Sequence, residues 1–312
     1  MDTLALVGLG SNVGDRKARL DRAVAELSGT PGLAVLAVSS YRETAPVGGP
    51  GGQGPFLNAA ARIESGIDPF ALLHVLRTIE ESAGRVRTVR WGERTLDLDL
   101  LIFGREVIRE PGLTVPHPRM AVRRFVLAPL AEIAPTVVDP ATRRSVASLL
   151  ANLDRRPSYV AIDTSASTFR DDLFARVVAG LPSVGLAEAE IAPTEDLDDA
   201  SPRAATLATK RRHLDGRRWA DALGDGRWLV TDFYALPSSV DFDDPRSGPA
   251  LSPTFVVATS GGSSDSLHPI DPGRPRRANT RPTGDVLVRP ESTTAEGIAR
   301  EVIAACEATR TG

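Results

Sequence analysis

The 312-residue sequence predicts an α+β first half of the ferredoxin-like type and an α/β second half. Three observations lead there. Between residues 4 and 103 the apolar pattern alternates between strand and helix periods in the order strand, helix, strand, strand, helix, strand, the split βαβ arrangement. A charged and proline-containing stretch, Asp154 to Pro157, separates this part from a second buried-strand pattern at Tyr159. The charge balance also changes sign: residues 1–156 carry 20 Lys and Arg against 17 Asp and Glu, and residues 157–312 carry 17 against 23. Domains at 1–156 and 157–312 are therefore expected, close to one per roughly 150 residues.

Each element has its own signal. Leu4 to Leu9 reads as a buried strand, followed by a turn, Gly10 to Asp15, and a helix from about Asp15 to Leu27. Leu20, Ala23, Val24 and Leu27 give that helix one apolar stripe. Strands are expected at Val35–Tyr41 and Phe56–Glu64, with a Gly- and Pro-rich loop between them. Asp68 is placed to cap the next helix, Pro69 suits its first turn, Leu72, Leu73, Leu76 and Ile79 form its buried face, and Gly84 stops it. Thr95 to Phe103 reads as the fourth strand, and a further helix ends at Leu153. In the second half a strand at Tyr159–Asp163 and a helix over Asp171–Ala179 are expected, then candidate strands at Arg227–Phe233 and Thr254–Ala258, and a last helix from about Thr294 to Thr309. Pro193–Arg203 and Ser260–Pro282 read as loops.

Composition excludes several classes of protein. The 42% hydrophobic and 25% charged residues are ordinary for a globular chain, and no apolar run approaches the roughly 18 residues that span a bilayer, so no membrane partner is expected. Two lysines, Lys17 and Lys210, and dispersed arginines argue against bulk nucleic-acid binding. Cys306 has no disulfide partner, and the opening residues lack a signal-peptide pattern, so the cytoplasm is the expected location.

The segment from Arg90 to Phe103 carries the most chemistry. Asp97 and Asp99 are two apart on an expected strand, so both carboxylates leave the same face while Leu96, Leu98 and Leu100 leave the other. Two adjacent hard oxygen ligands suit Mg²⁺, although a bare Asp-x-Asp also fits the solvated side of an edge strand. Arg85, Arg87, Arg90 and Arg94 lie just upstream, as a polyphosphate substrate would require. Downstream, His117 sits between prolines and is placed to hold a phosphate or sugar oxygen, or to serve simply as a loop histidine.

The first half closely resembles the 6-hydroxymethyl-7,8-dihydropterin pyrophosphokinase family of folate biosynthesis over about residues 3–153. The resemblance rests on Gly10-Ser-Asn-Val-Gly-Asp15, Ser40-Tyr-Arg-Glu-Thr44, Phe56-Leu-Asn-Ala-Ala60, Gly84-Arg-Val-Arg87, Arg90-Trp-Gly-Glu-Arg-Thr-Leu-Asp-Leu-Asp99 and Thr114-Val-Pro-His117. It implies transfer of a diphosphoryl group from ATP to the pterin hydroxymethyl oxygen with release of AMP. In this reading Asp97 and Asp99 hold two Mg²⁺ ions, Arg85 and Arg94 reach the phosphates, Arg87 and Arg123 add positive charge, and His117 contacts ATP. Phe56 and Phe125 would stack on the pterin, Asn58 would hydrogen-bond its edge, and backbone from Thr44 to Val47 would complete the pocket. Phe56 stands where a tyrosine is common, Ala45 where proline is frequent, and Pro118 where a tyrosine often follows the histidine.

Tyr159 to Leu173 is similar in layout to the opening of deoxynucleoside kinases, a strand feeding a P-loop and helix, but its phosphate chemistry is missing. Thr164, Ser167 and Phe169 occupy the glycine places, Arg170 the lysine place and Asp171 the hydroxyl place. The resemblance implies a P-loop-kinase-like second half without an intact P-loop, non-catalytic and serving assembly or regulation, with a homodimer through it as the expected assembly. An active kinase half using Arg170, a second half that is a simple structural appendage, or a whole chain that binds pterin or nucleotide without turnover, are the alternatives.

Overall fold

The computed structural model describes residues 2–85, 92–154, 158–163, 170–186, 227–231, 254–258, 287–288 and 290–311. The chain forms two compact units, Met1–Leu153 together with Ala304–Gly312, and Asp154–Ile303. No helix among the described residues is long and apolar enough to cross a membrane.

The first unit begins with β1 (Thr3–Ser11), α1 (Arg16–Ser28), β2 (Leu33–Val38), β3 (Arg42–Thr44), β4 (Phe56–Ser65), α2 (Pro69–Ser82) and β5 (Asp97–Phe103). The strands form one antiparallel sheet in the order β2-β4-β1-β5, with β3 also paired to β4. Apart from the short β3, this is the expected strand and helix order. The expected strand Val35–Tyr41 ends early because Ser39 interrupts the ladder: its Oγ accepts the Ala60 N–H at 2.9 Å, the place a strand carbonyl would take. Pairing with β4 resumes at Arg42.

Helix α1 starts at Asp15, whose side chain accepts from the Ala18 N–H, and α2 at Asp68, which accepts from Phe70 and Ala71. Their apolar stripes, Leu20, Ala23 and Leu27, and Leu72, Leu76 and Ile79, are buried against Ala5, Val7 and Leu9 of β1, Ala59, Ala61 and Ile63 of β4, and Leu96, Leu98 and Leu100 around β5. Burying such side chains gives roughly 1.5–3 kcal/mol each, so this layer is the main source of stability.

A hairpin, β6 (Ile108–Glu110) and β7 (Leu113–Val115), adds Leu113 and Val115 to this same core. It leads to a 3₁₀ turn at Met120–Val122, then α3 (Arg124–Ile133) and α4 (Val146–Leu153). Helix α3 packs on β4 and on α4 and buries Val126, Leu127 and Leu130.

The second unit contains β8 (Ser158–Asp163), α5 (Arg170–Gly180), β9 (Ser183–Leu186), β10 (Trp228–Thr231), β11 (Phe255–Ala258), β12 (Leu287–Val288) and most of α6 (Ala295–Ala308). All pairs in its five-stranded sheet are parallel, in the order β12-β11-β8-β10-β9. Tyr159, Val160, Ala161 and Ile162 are buried in succession, as in a strand covered on both sides. The Tyr159 hydroxyl meets Thr231 Oγ1 at 3.2 Å, and the Trp228 and Phe255 rings pack edge to face at 6.0 Å. Thr164, Ser167, Phe169 and the expected loops at 193–203 and 260–282 lie outside the described residues, whereas Arg170 begins α5.

Candidate active site

Strand register gathers the site on one face of the first sheet. Gly10 pairs with Asn58 on one side and Asp97 on the other, Gly8 with Ala60 and Asp99, and Thr44 with Phe56. Paired residues share a face and alternate residues return to it, so Thr44, Phe56, Asn58, Asp97 and Asp99 all project to the side opposite α1 and α2. Asn58 donates through Nδ2 to Thr44 Oγ1 at 2.8 Å, and both residues are buried. Gly10 makes the approach feasible: a Cβ there would lie 3.1 Å from Asn58 Oδ1 and 3.8 Å from Asp97 Cβ.

The charged groups form two linked sets. Arg94 and Arg85 both pair with Asp97, Arg85 Nη1 lying 2.7 Å from Oδ1, and Arg85 also pairs with the buried Glu80. Asp99 faces Arg123 Nη1 at 3.8 Å and His117 Nε2 at 3.9 Å. The side chains of Asp97 and Asp99 remain 17% and 34% exposed, so a ligand can reach both. Among the described residues no group of three or more His, Cys, Asp or Glu side chains is placed to hold a metal. A carboxylate pair of this kind fits Mg²⁺, which completes its shell with substrate phosphate oxygens and water.

Burial pushes the Asp99 carboxyl up, but His117, Arg123, Arg94 and Arg85 together hold it below its ordinary range. Burial lowers His117 to about 4 against the pull of Asp99, so its imidazole is neutral at pH 7. The Arg119 N–H donates to His117 Nδ1 at 3.1 Å, which places the remaining proton on Nε2, the nitrogen facing Asp99. The charge that supports Asp99 at neutral pH is therefore arginine charge. Burial also lowers Arg123, with Asp99 opposing it, whereas the pull of Asp97 outweighs burial at Arg94.

Two anchors have roles that the linear sequence does not display. Glu80 Oε1 accepts the Leu98 N–H at 2.7 Å, so one buried carboxylate fixes the backbone between the two aspartates while pairing with Arg85. Arg85 reaches it because α2 ends on Gly84 at φ +78°, which turns the chain back so that the Arg85 N–H bonds the Glu80 carbonyl at 3.1 Å. Asn12 exchanges two bonds with Arg94, its Oδ1 accepting from the Arg94 N–H at 2.7 Å and its own N–H donating to the Arg94 carbonyl at 3.1 Å. Ser11 Oγ donates to the Thr95 carbonyl at 2.6 Å. These bonds draw residues 94–95 across the end of β1, which is why β5 starts at Asp97 rather than at Thr95. Ser11 and Asn12 belong to the Gly10–Asp15 motif, which is the signal that could have pointed to them.

Phe125 and Val47 are both half-buried; Phe125 lies in the first turn of α3 with the Arg123 guanidinium 5.6 Å from its ring centre, and Val47 follows β3 in the loop. Arg87 and Arg90 lie outside the described residues.

The family described as 7,8-dihydro-6-hydroxymethylpterin-pyrophosphokinase (HPPK) matches residues 6–135. A 2-amino-4-hydroxy-6-hydroxymethyldihydropteridine pyrophosphokinase of Bacillus subtilis is 51% identical over 142 residues, 46% of this chain and 84% of the relative. The chain belongs to this family. The pyrophosphokinases of Synechocystis sp. and Methylorubrum extorquens are 41% and 44% identical over 150 and 152 residues, covering 76% and 94% of those relatives and 48% and 49% of this chain. All three pyrophosphokinase matches thus account for about half of the chain. A solved structure of Plasmodium falciparum HPPK-DHPS with pteroate is similar at 12% identity and a TM-score of 0.39, over 75% of this chain and 64% of that one, a likeness too slight to bear on the second unit.

Proposed function

We propose that the first unit transfers the terminal diphosphoryl group of ATP to the hydroxymethyl oxygen of 6-hydroxymethyl-7,8-dihydropterin, releasing AMP, in folate biosynthesis. The observation that carries this reading is the convergence of Asp97 and Asp99 with Arg85, Arg94, Arg123 and His117 on the sheet face that also bears Phe56, Asn58 and Thr44. In the reaction the pterin oxygen bonds to the β-phosphorus, the bridge from α- to β-phosphorus breaks with its oxygen leaving on AMP, and the hydroxymethyl proton is lost.

Asp97 and Asp99 are the residues that would hold Mg²⁺, two ions in this reading, and bound Mg²⁺ supplies charge neutralisation for the triphosphate. Arg85 and Arg94 pair with Asp97; with ATP present their guanidinium groups exchange that partner for phosphate oxygens, so the same arginines hold the site together and grip the substrate. Arg123 and Arg87 add positive charge, and neutral His117 offers Nε2–H to ATP. Phe56 and Phe125 stack on the pterin ring, while Asn58, set by Thr44, hydrogen-bonds its edge beside Val47. Positioning and charge neutralisation are what phosphoryl-type transfer chiefly needs.

Product analysis of the full-length protein with ATP and Mg²⁺ tests the reading. AMP is expected only when the pterin is present; ADP, or no nucleotide product, would overturn it. Asp97→Ala and Asp99→Ala are each expected to abolish AMP formation with the circular dichroism spectrum unchanged, and full activity in either would remove the metal assignment.

For the second unit the reading is a nucleoside-kinase-like domain without phosphotransfer, serving assembly or regulation as a homodimer contact. The parallel sheet with its first strand central supports it, as does the carboxylate of Asp171 in the exposed first turn of α5, which repels phosphate. ADP formed by the full chain from ATP and a deoxynucleoside would contradict the missing activity, and a monomeric mass by light scattering would contradict the pairing.

A further inference from the structure

Residues 304–312 lie 187 positions or more beyond His117, where the last of the pterin motifs ends, yet they belong to the first unit. Ala305, Cys306, Ala308 and Thr309 are buried, and the Thr309 side chain and N–H both turn back to carbonyls of the preceding turn. The Thr309 carbonyl accepts a 2.9 Å hydrogen bond from Arg124 Nε. This is a favourable place for an arginine, since the last carbonyls of a helix lack intrahelical partners and carry partial negative charge.

Arg124 is the first residue of α3 and stands between two candidate site residues. Arg123 precedes it and faces Asp99 at 3.8 Å; Phe125 follows it with its ring under the Arg123 guanidinium. No side-chain cap holds this turn: Arg123 is the N-cap residue and makes no capping hydrogen bond, so the turn depends on tertiary contacts for its orientation. Successive residues of a helix project about 100° apart. A tie on the Arg124 side chain therefore limits rotation of the turn and, with it, the positions of both neighbours.

We propose that residues 304–311 are a positioning element of the pyrophosphokinase site, acting through the Thr309 carbonyl and Arg124 on the turn that carries Arg123 and Phe125. The proposal rests on the assignment of those two residues to ATP and pterin. Arg124 is a positioning residue here: it touches neither substrate, and it acts by aiming its neighbours.

The test compares three forms of the full chain with wild type: Arg124→Ala, a chain stopped after Ala308, and both changes together. Removing either partner is expected to raise KM for both ATP and the pterin roughly tenfold, less than the about hundredfold that a 1 Å misplacement can cost, with kcat changed much less. The combined form should raise KM by less than the product of the two separate effects, because the Arg124–Thr309 bond is lost in each. Amide exchange at Val126 and Leu127, whose N–H groups bond the Arg123 carbonyl, should quicken in all three. Lower melting temperatures with unchanged KM values and exchange would overturn the proposal, as would an effect from Arg124→Ala that the shortened chain does not reproduce. Should Arg124→Ala fail to fold, Arg124→Lys takes its place: it keeps the charge and loses the planar donor, and wild-type KM values in that variant count against the proposal. A wild-type protein that forms no AMP would remove the proposed function, while the exchange rates would still read the tie itself.

Discussion

At the scale of single residues, the site depends on one missing side chain as much as on the charged ones. Gly10 lets Asn58 and Asp97 approach across β1, and a methyl group there would press on Asn58 Oδ1 at 3.1 Å. Gly10→Ala is expected to displace Asn58 at a cost of about 1 kcal/mol, raising KM for the pterin roughly fivefold while the value for ATP changes little. Equal changes in both, measured by steady-state kinetics, would separate Asn58 from the pterin. The residues legible in the sequence are those whose role follows from local spacing: Asp97 and Asp99 share a face because a strand repeats every two residues. Glu80 and Asn12 were not legible as anchors, since their partners, Leu98 and Arg94, lie 18 and 82 positions away and are brought near only when α2 and β1 pack against β5. The sequence offers Glu80 as one more acid beside Glu81, and nothing in their spacing separates the buried carboxylate from the exposed one.

At the scale of elements, long periodic segments were readable and short or atypical ones were not. Helices α1 and α2 bury the stripes their periodicity predicts. Helix α3 escaped because Pro129 reads as a breaker, and β3, β6 and β7 because three residues cannot display a period. What holds α3 to the sheet edge is also readable only in three dimensions: Glu132 accepts from the Ser40 N–H at 2.8 Å and from its hydroxyl, and pairs with Arg42. These contacts, the Arg42 hydrogen bond foremost, hold the Glu132 carboxyl down to about 2, against an ordinary 4.5. A carboxyl depressed by folding stabilises the native state fully above its unfolded value and loses that contribution as pH falls through the folded one. The contribution should therefore vanish between about pH 4.5 and 2, and because the pair is partly solvated it amounts to no more than about 1 kcal/mol. Urea unfolding of Glu132→Gln and wild type across this window should give curves that converge toward low pH; curves that stay parallel would show that Glu132 does not contribute in this way.

At the scale of the whole molecule, the division of the chain is not the one its linear sequence suggests. A cut at the charged stretch near residue 156 looks natural, yet the first unit includes Ala304–Gly312. A chain stopped after Arg156 lacks the buried Ala305, Cys306, Ala308 and Thr309, and loses about 1–3 kcal/mol with them. Calorimetry should place its transition several degrees below that of the same unit in the full chain, at roughly 2–4 °C per kcal/mol; coincident transitions would show that the segment adds no stability. The same arrangement orders events in time. A chain emerging from the ribosome amino-terminus first displays the whole sheet of the first unit, and then 150 further residues, Asp154–Ile303, before the helix end that anchors Arg124 exists. The pyrophosphokinase unit is thus begun first and completed only after the other has been made, so a message broken between those points yields a chain with every motif of the enzyme and an unfinished first unit.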